Sequence, residues 1–181
     1  MPPSSPPSFQ RGCHSVLDRR GFVAGLALAS ALARAGRASA QDAAATGPQL
    51  ELPKEKLVIT THDGVQHVFN VEMALKPEQQ ITGLMFRPSV PADGGMLFDW
   101  GTPRDSQMWM KNTLAPLDMV FINQDGTIRS IVENTVPESL AVIDSRGPVR
   151  ATLELAAGTT ARLGIVVGDK VTQRIFGNAA G

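Results

Sequence analysis

The segment Met108-Trp109-Met110-Lys111-Asn112-Thr113-Leu114-Ala115-Pro116-Leu117-Asp118 concentrates an ammonium, an amide, a hydroxyl and a carboxylate beside an indole and two thioethers. Two chemistries suit it. Lys111, Asn112, Thr113 and Asp118 with Trp109 as an apolar wall, and Arg87 as a further cation, would suit the mouth of a pocket for a small polar, anionic or carbohydrate-like ligand. The architectural alternative is that Met108 and Met110 fill core, Asn112 and Thr113 satisfy turn amides, and Asp118 caps the turn or pairs with Lys111.

Catalysis is a poorer match, and no catalytic residue is assigned. There is no Gly-x-Ser-x-Gly elbow, and neither His62 nor His67 sits in a pattern that marks a general base. Lys111 and Asp118 could exchange protons only if burial shifted their pKa values, which keeps a small-molecule enzyme as the rival reading. Zinc, EF-hand and HExxH spacings are absent, so no metal ligand is assigned. Thioethers do bind Cu(I), and Met108, Trp109 and Met110 with Met85, Met96 or a histidine give a third reading. No cofactor is implied.

The elements that must position these residues follow from pattern. Leu57–Thr60 and Val68–Ala74 read as a hairpin around His62-Asp63-Gly64, and Met119–Ile122 and Ile128–Val132 as a second around Gln124-Asp125-Gly126. In both, glycine takes a positive φ cheaply. Pro77 fits the first position of a helix that puts Ile81, Leu84 and Met85 on one face before Arg87-Pro88 ends it. A second short helix is expected at Thr159–Leu163, capped by Thr159 and stopped by Gly164. Met96–Phe98, Gln107–Lys111, Arg150–Leu155 and Lys170–Ile175 complete a count of about seven strands and two short helices. The class is mainly β, or α+β: antiparallel strands in a partly closed, barrel-like sheet.

Residues 1–40 carry an address. Arg19-Arg20-Gly21-Phe22-Val23 precedes a charge-free run, Gly21–Ala33, and Ala38-Ser39-Ala40 supplies small residues for cleavage after Ala40. The paired arginines and mild hydropathy resemble a twin-arginine signal, which predicts export to the periplasm. The 13-residue run is short of the roughly 20 needed to span a bilayer, so no membrane span is expected after cleavage. Residues 41–54 have linker composition, and residues 55–177 form the predicted domain. Removing five arginines and Asp18 with the signal leaves 12 basic and 16 acidic residues, 12 − 16 = −4, which disfavours nucleic acid as a partner. Cys13 leaves with it, so the domain has no thiol.

Gly83-Leu84-Met85-Phe86-Arg87, Gly95-Met96-Leu97-Phe98, Trp109-Met110-Lys111-Asn112-Thr113, Pro116-Leu117-Asp118, and Leu153-Glu154-Leu155 with Gly158 together resemble the DUF192 family, also labelled UPF0127. The resemblance spans about residues 56–176 and implies a small domain often found behind export signals, with a fold expectation and no activity attached. The chain departs from many relatives at Glu138–Gly147, which has neither cysteine nor tyrosine, so a thiol or phenol function there is not implied. The expectation is an exported module for a small ligand or a periplasmic protein.

Overall fold

The computed structural model describes residues 45–179, so the signal-peptide reading of residues 1–40 and the start of the linker lie outside the described residues. Seven strands are present among the described residues: β1 Lys54–Thr60, β2 Gln66–Ala74, β3 Gly94–Met108, β4 Leu117–Ile122, β5 Ile128–Val132, β6 Ile143–Ala156 and β7 Lys170–Thr172. Helix α1 (Pro77–Thr82) follows β2, and α2 (Thr159–Leu163) follows β6. The sheet order is β5-β4-β6-β3-β2-β1-β7.

The sheet curls into a half-barrel, as the pattern predicts. Its two ends approach each other where Thr127 bridges Lys170 and the Val171 amide donates to the Gly126 carbonyl at 2.8 Å. Gly126 makes this contact possible. Its φ is +84°, and a Cβ there would meet the Val171 carbonyl oxygen at 2.4 Å. Both hairpins fall where the Asp-Gly signals put them.

Five local expectations are corrected. β2 and β3 pair in parallel, because residues 75–93, including α1, form a crossover rather than a tight turn. Helix α1 ends at Thr82, since Gly83 at φ +49° breaks it, leaving Ile81 exposed while Leu84 and Met85 pack inward from the next turn. The predicted strand Gln107–Lys111 is the tail of β3 and stops at Met108, while the predicted strand Lys170–Ile175 is only β7 followed by a 3-10 turn at Arg174–Phe176. Thr159 is the first residue of α2 rather than its cap, which is Gly158 at φ +76°.

Both faces of the sheet are buried. Leu57, Ile59, Phe69, Val71, Leu153 and Leu155 join Ile165, Val171 and Phe176 on the first face. Met96, Phe98, Met110, Leu117, Met119 and Phe121 join Leu84 and Ala115 on the second. Strand alternation sends Ala151, Leu153 and Leu155 of β6 to the first face, so Arg150, Thr152 and Glu154 go to the second.

The closure has a measurable consequence. Gly126→Ala adds a clash to the left-handed strain and should cost about 2 kcal/mol or more. Gly64→Ala, with the same backbone sign and nothing within 4 Å, should cost about 1 kcal/mol. Urea denaturation checks this, and equal losses would show that the two ends of the sheet do not depend on that contact.

Candidate functional site

The second face opens into a cleft of about 470 Å³ between the α1 segment and the far end of β3. Trp100, Arg104, Gln107, Met108, Trp109 and Glu154 line it, against an apolar back formed by Leu84, Met85 and Phe98. The chain has two tryptophans, and both are here. Each carries a cation: the Arg104 guanidinium carbon lies 4.2 Å from the Trp100 ring centre, and Lys111 Nζ lies 5.0 Å from that of Trp109.

Local geometry explains how each indole is aimed. Met96, Phe98 and Trp100 alternate onto one face of β3, and Phe98 stacks on Trp100 with centroids 5.8 Å apart. Trp100 Nε1 donates to Thr152 Oγ1 at 3.1 Å, fixing the ring against β6. The register of β3 against β6 then shifts between Asp99 and Arg104, and this bulge carries Arg104 over Trp100. Beyond Met108, Met110 is fully buried, its sulfur accepting from Thr135 Oγ1 at 3.2 Å and its amide donating to the Ser139 carbonyl at 3.0 Å. With Met110 anchored, its neighbour Trp109 turns outward and remains 47% exposed.

The structure separates the residues singled out from sequence. Trp109 and Thr113 line the cleft, and Lys111 stands over Trp109. Asn112 supports the turn, at φ +56°, with its carbonyl accepting from the Phe86 amide at 2.7 Å and its amide facing the Met85 sulfur at 3.8 Å. Arg87 lies in a second concavity, where it forms a two-pronged pair with Glu72. Burial alone would raise the Glu72 carboxyl, but the Arg87 guanidinium and the Leu52 amide hold it below the ordinary range.

Asp118 is fully buried beneath α2. It accepts from the amides of Asn134 at 2.9 Å, Gly158 at 3.0 Å and Thr160 at 2.9 Å, and from Thr160 Oγ1 at 2.8 Å. Those four donors, rather than Lys111, are its partners. Of the methionines considered for copper, Met96 and Met110 are core, while Met85 and Met108 reach the cleft. Among the described residues no three His, Asp or Glu side chains gather as a metal site.

Sequence reasoning missed Glu154, Trp100, Arg104 and Gln107. Glu154 is only 4% exposed, and among the described residues no hydrogen bond or ion pair reaches its carboxyl. Burial pushes it up to about 8. The available signal was one acidic residue inside the apolar run Ala151-Thr152-Leu153-Glu154-Leu155-Ala156.

Among the described residues, the class is a mainly β domain: a seven-stranded, curled half-barrel sheet with two short helices. The chain belongs to the DUF192 family (Uncharacterized ACR), which matches residues 58–173 and whose function is unknown. Similar crystal structures include the following two. A protein from Sinorhizobium meliloti 1021, described as "a putative transcription regulator", is 50% identical with a TM-score of 0.68, the match covering 70% of this chain and 98% of that one. A protein of unknown function from Novosphingobium aromaticivorans is 36% identical with a TM-score of 0.66, covering 76% and 99%. No curated protein matches.

The buried acid predicts a pH-dependent stability. From the ordinary value of 4.5 up to about 8, the unfolded chain ionises Glu154 while the folded chain keeps its proton. Its contribution therefore favours folding less as pH rises through that window, by about 1.4 kcal/mol per unit. Glu154→Gln removes the ionisation, so its melting temperature should exceed that of the wild type near pH 8 and approach it below about pH 5. A difference of equal size at both pH values would contradict an unpaired, buried carboxyl.

Proposed function

We propose that this protein is an exported binding domain for a small polar ligand, and that the cleft between Trp100 and Trp109 is its site. The observation that carries the reading is the convergence of both indoles, each under a cation, on one concavity that also holds a buried acid with no partner among the described residues. Indole faces take the apolar part of a ligand, and Arg104, Gln107 and Glu154 supply directional polar groups. The separation of Lys111 from Asp118 weakens the rival reading of an enzyme built on that pair.

Export is supported by Arg19-Arg20, the mild apolar run and Ala38-Ser39-Ala40. Among the described residues no helix is long and apolar enough to cross a membrane. DNA binding, which the description of the Sinorhizobium meliloti relative would suggest, is disfavoured by the 12 basic against 16 acidic residues from position 41 onward.

Two experiments test this. Native mass spectrometry of protein recovered from the periplasm should show a retained small molecule that Trp109→Ala loses while its melting temperature changes little, as expected for an exposed side chain. Identical spectra for variant and wild type would move the site elsewhere. Separately, Arg19→Lys with Arg20→Lys should leave the protein in the cytoplasm, and undiminished delivery would exclude the twin-arginine route.

A further inference from the structure

One lateral row crosses the second face of the sheet: Glu72 on β2 pairs with Met96 on β3, Met96 with Glu154 on β6, and Glu154 with Met119 on β4. Glu72 is answered by Arg87, whereas Glu154 is flanked on both sides by methionine. The charged groups around Glu154 are few. On its own strand Arg150 pairs with Asp99 of β3. β4 offers Met119 on this face, its carboxylate Asp118 being engaged beneath α2, and the α1 segment offers Gln80, Thr82, Leu84 and Met85, none of which ionises. Arg104 is the charged side chain that shares the cleft lining with Glu154, and Lys111 stands over Trp109 without joining that lining.

A carboxyl group this buried, between two methionines and with no donor or cation bonded to it among the described residues, keeps its proton, because nothing repays the loss of hydration on ionising. It therefore presents an O–H donor to the cleft. Arg104 over Trp100 puts positive charge on the cleft wall, and Lys111 adds a second cation over Trp109. A cationic ligand would have to pass Arg104 and force Glu154 to ionise, whereas an anionic oxygen matches both groups as they stand.

Taking the cleft as the binding site proposed above, we infer that its ligand is a small organic carboxylate, held between the Arg104 guanidinium and the Glu154 carboxyl acting as hydrogen-bond donor. The indoles, Phe98 and Met85 enclose its hydrocarbon part. Binding then requires the proton on Glu154. Affinity should be flat through neutral pH and fall about tenfold per pH unit once Glu154 ionises.

Butyrate, butyramide and n-butylammonium, nearly equal in shape, separate the possibilities when each is titrated against the indole N–H resonances of the purified protein between about pH 6 and pH 10. Butyrate should bind tightest, losing affinity only above about pH 8. Glu154→Gln keeps a neutral donor and should bind butyrate at neutral pH without the alkaline loss, and Arg104→Gln should weaken butyrate while leaving that loss in place. Tighter binding of n-butylammonium, or an unchanged pH profile in Glu154→Gln, would overturn the inference. Butyramide matching butyrate at every pH would overturn the ligand class but keep the cleft as a binding site. No response to any of the three would remove both.

Discussion

A charged group between two packed layers must be answered by a partner, and this requirement organises the domain. Both faces of the sheet carry a packed core, and four acids, Glu72, Asp118, Glu154 and Asp169, are buried in or beside it. Asp118 is answered by four donors from residues 134, 158 and 160, drawing the β5 exit and the start of α2 onto β4. Asp169 is answered by the amides of His62 at 2.9 Å and Val166 at 2.7 Å, which ties the first hairpin to the approach to β7. Glu72 has Arg87 and the Leu52 amide. Each of these acids fastens segments remote in sequence. Among the described residues Glu154 fastens nothing, and of these four acids it is the one that lines the cleft.

That contrast separates scaffold from site. Breaking a satisfied buried acid leaves donors unpaired and costs stability, while an unsatisfied one costs stability by being present. Keeping such a group has a physical rationale when a ligand completes it. The same division runs through the segment from Met108 to Asp118: Met110, Asn112 and Asp118 build the turn and the core beneath it, and Trp109, with Lys111 over its ring, is left at the cleft wall. β3 contributes the opposite wall, because its alternation and its bulge bring Trp100 and Arg104 to the same place.

Much of the fold was legible because its signals are local. Asp-Gly turns fixed the two hairpins, and the strand and helix count implied a curled sheet. The continuity of β3 was hidden by Gly101-Thr102-Pro103, which reads as a break; the strand tolerates it where the register slips and those residues are exposed. The destination of Asp118 was hidden for another reason. Its partners lie up to 42 positions away, and a carboxylate near a lysine in sequence suggests the wrong pairing. Glu154 was quoted as part of a motif, but its isolation is a property of three adjacent strands and is invisible in any one of them. Half of the aromatic wall, Trp109, came from sequence; Trp100 became visible only once β3 and β6 were paired.

Among the described residues, Glu154 is a buried acid without a partner. This is tested most directly by following the side-chain carboxyl carbon resonance of Glu154 through a pH titration of the ligand-free domain. The account predicts a midpoint far above the ordinary 4.5, at about 8. A midpoint at or below the ordinary value would show that Glu154 is ionised and answered, and would contradict the site built around it.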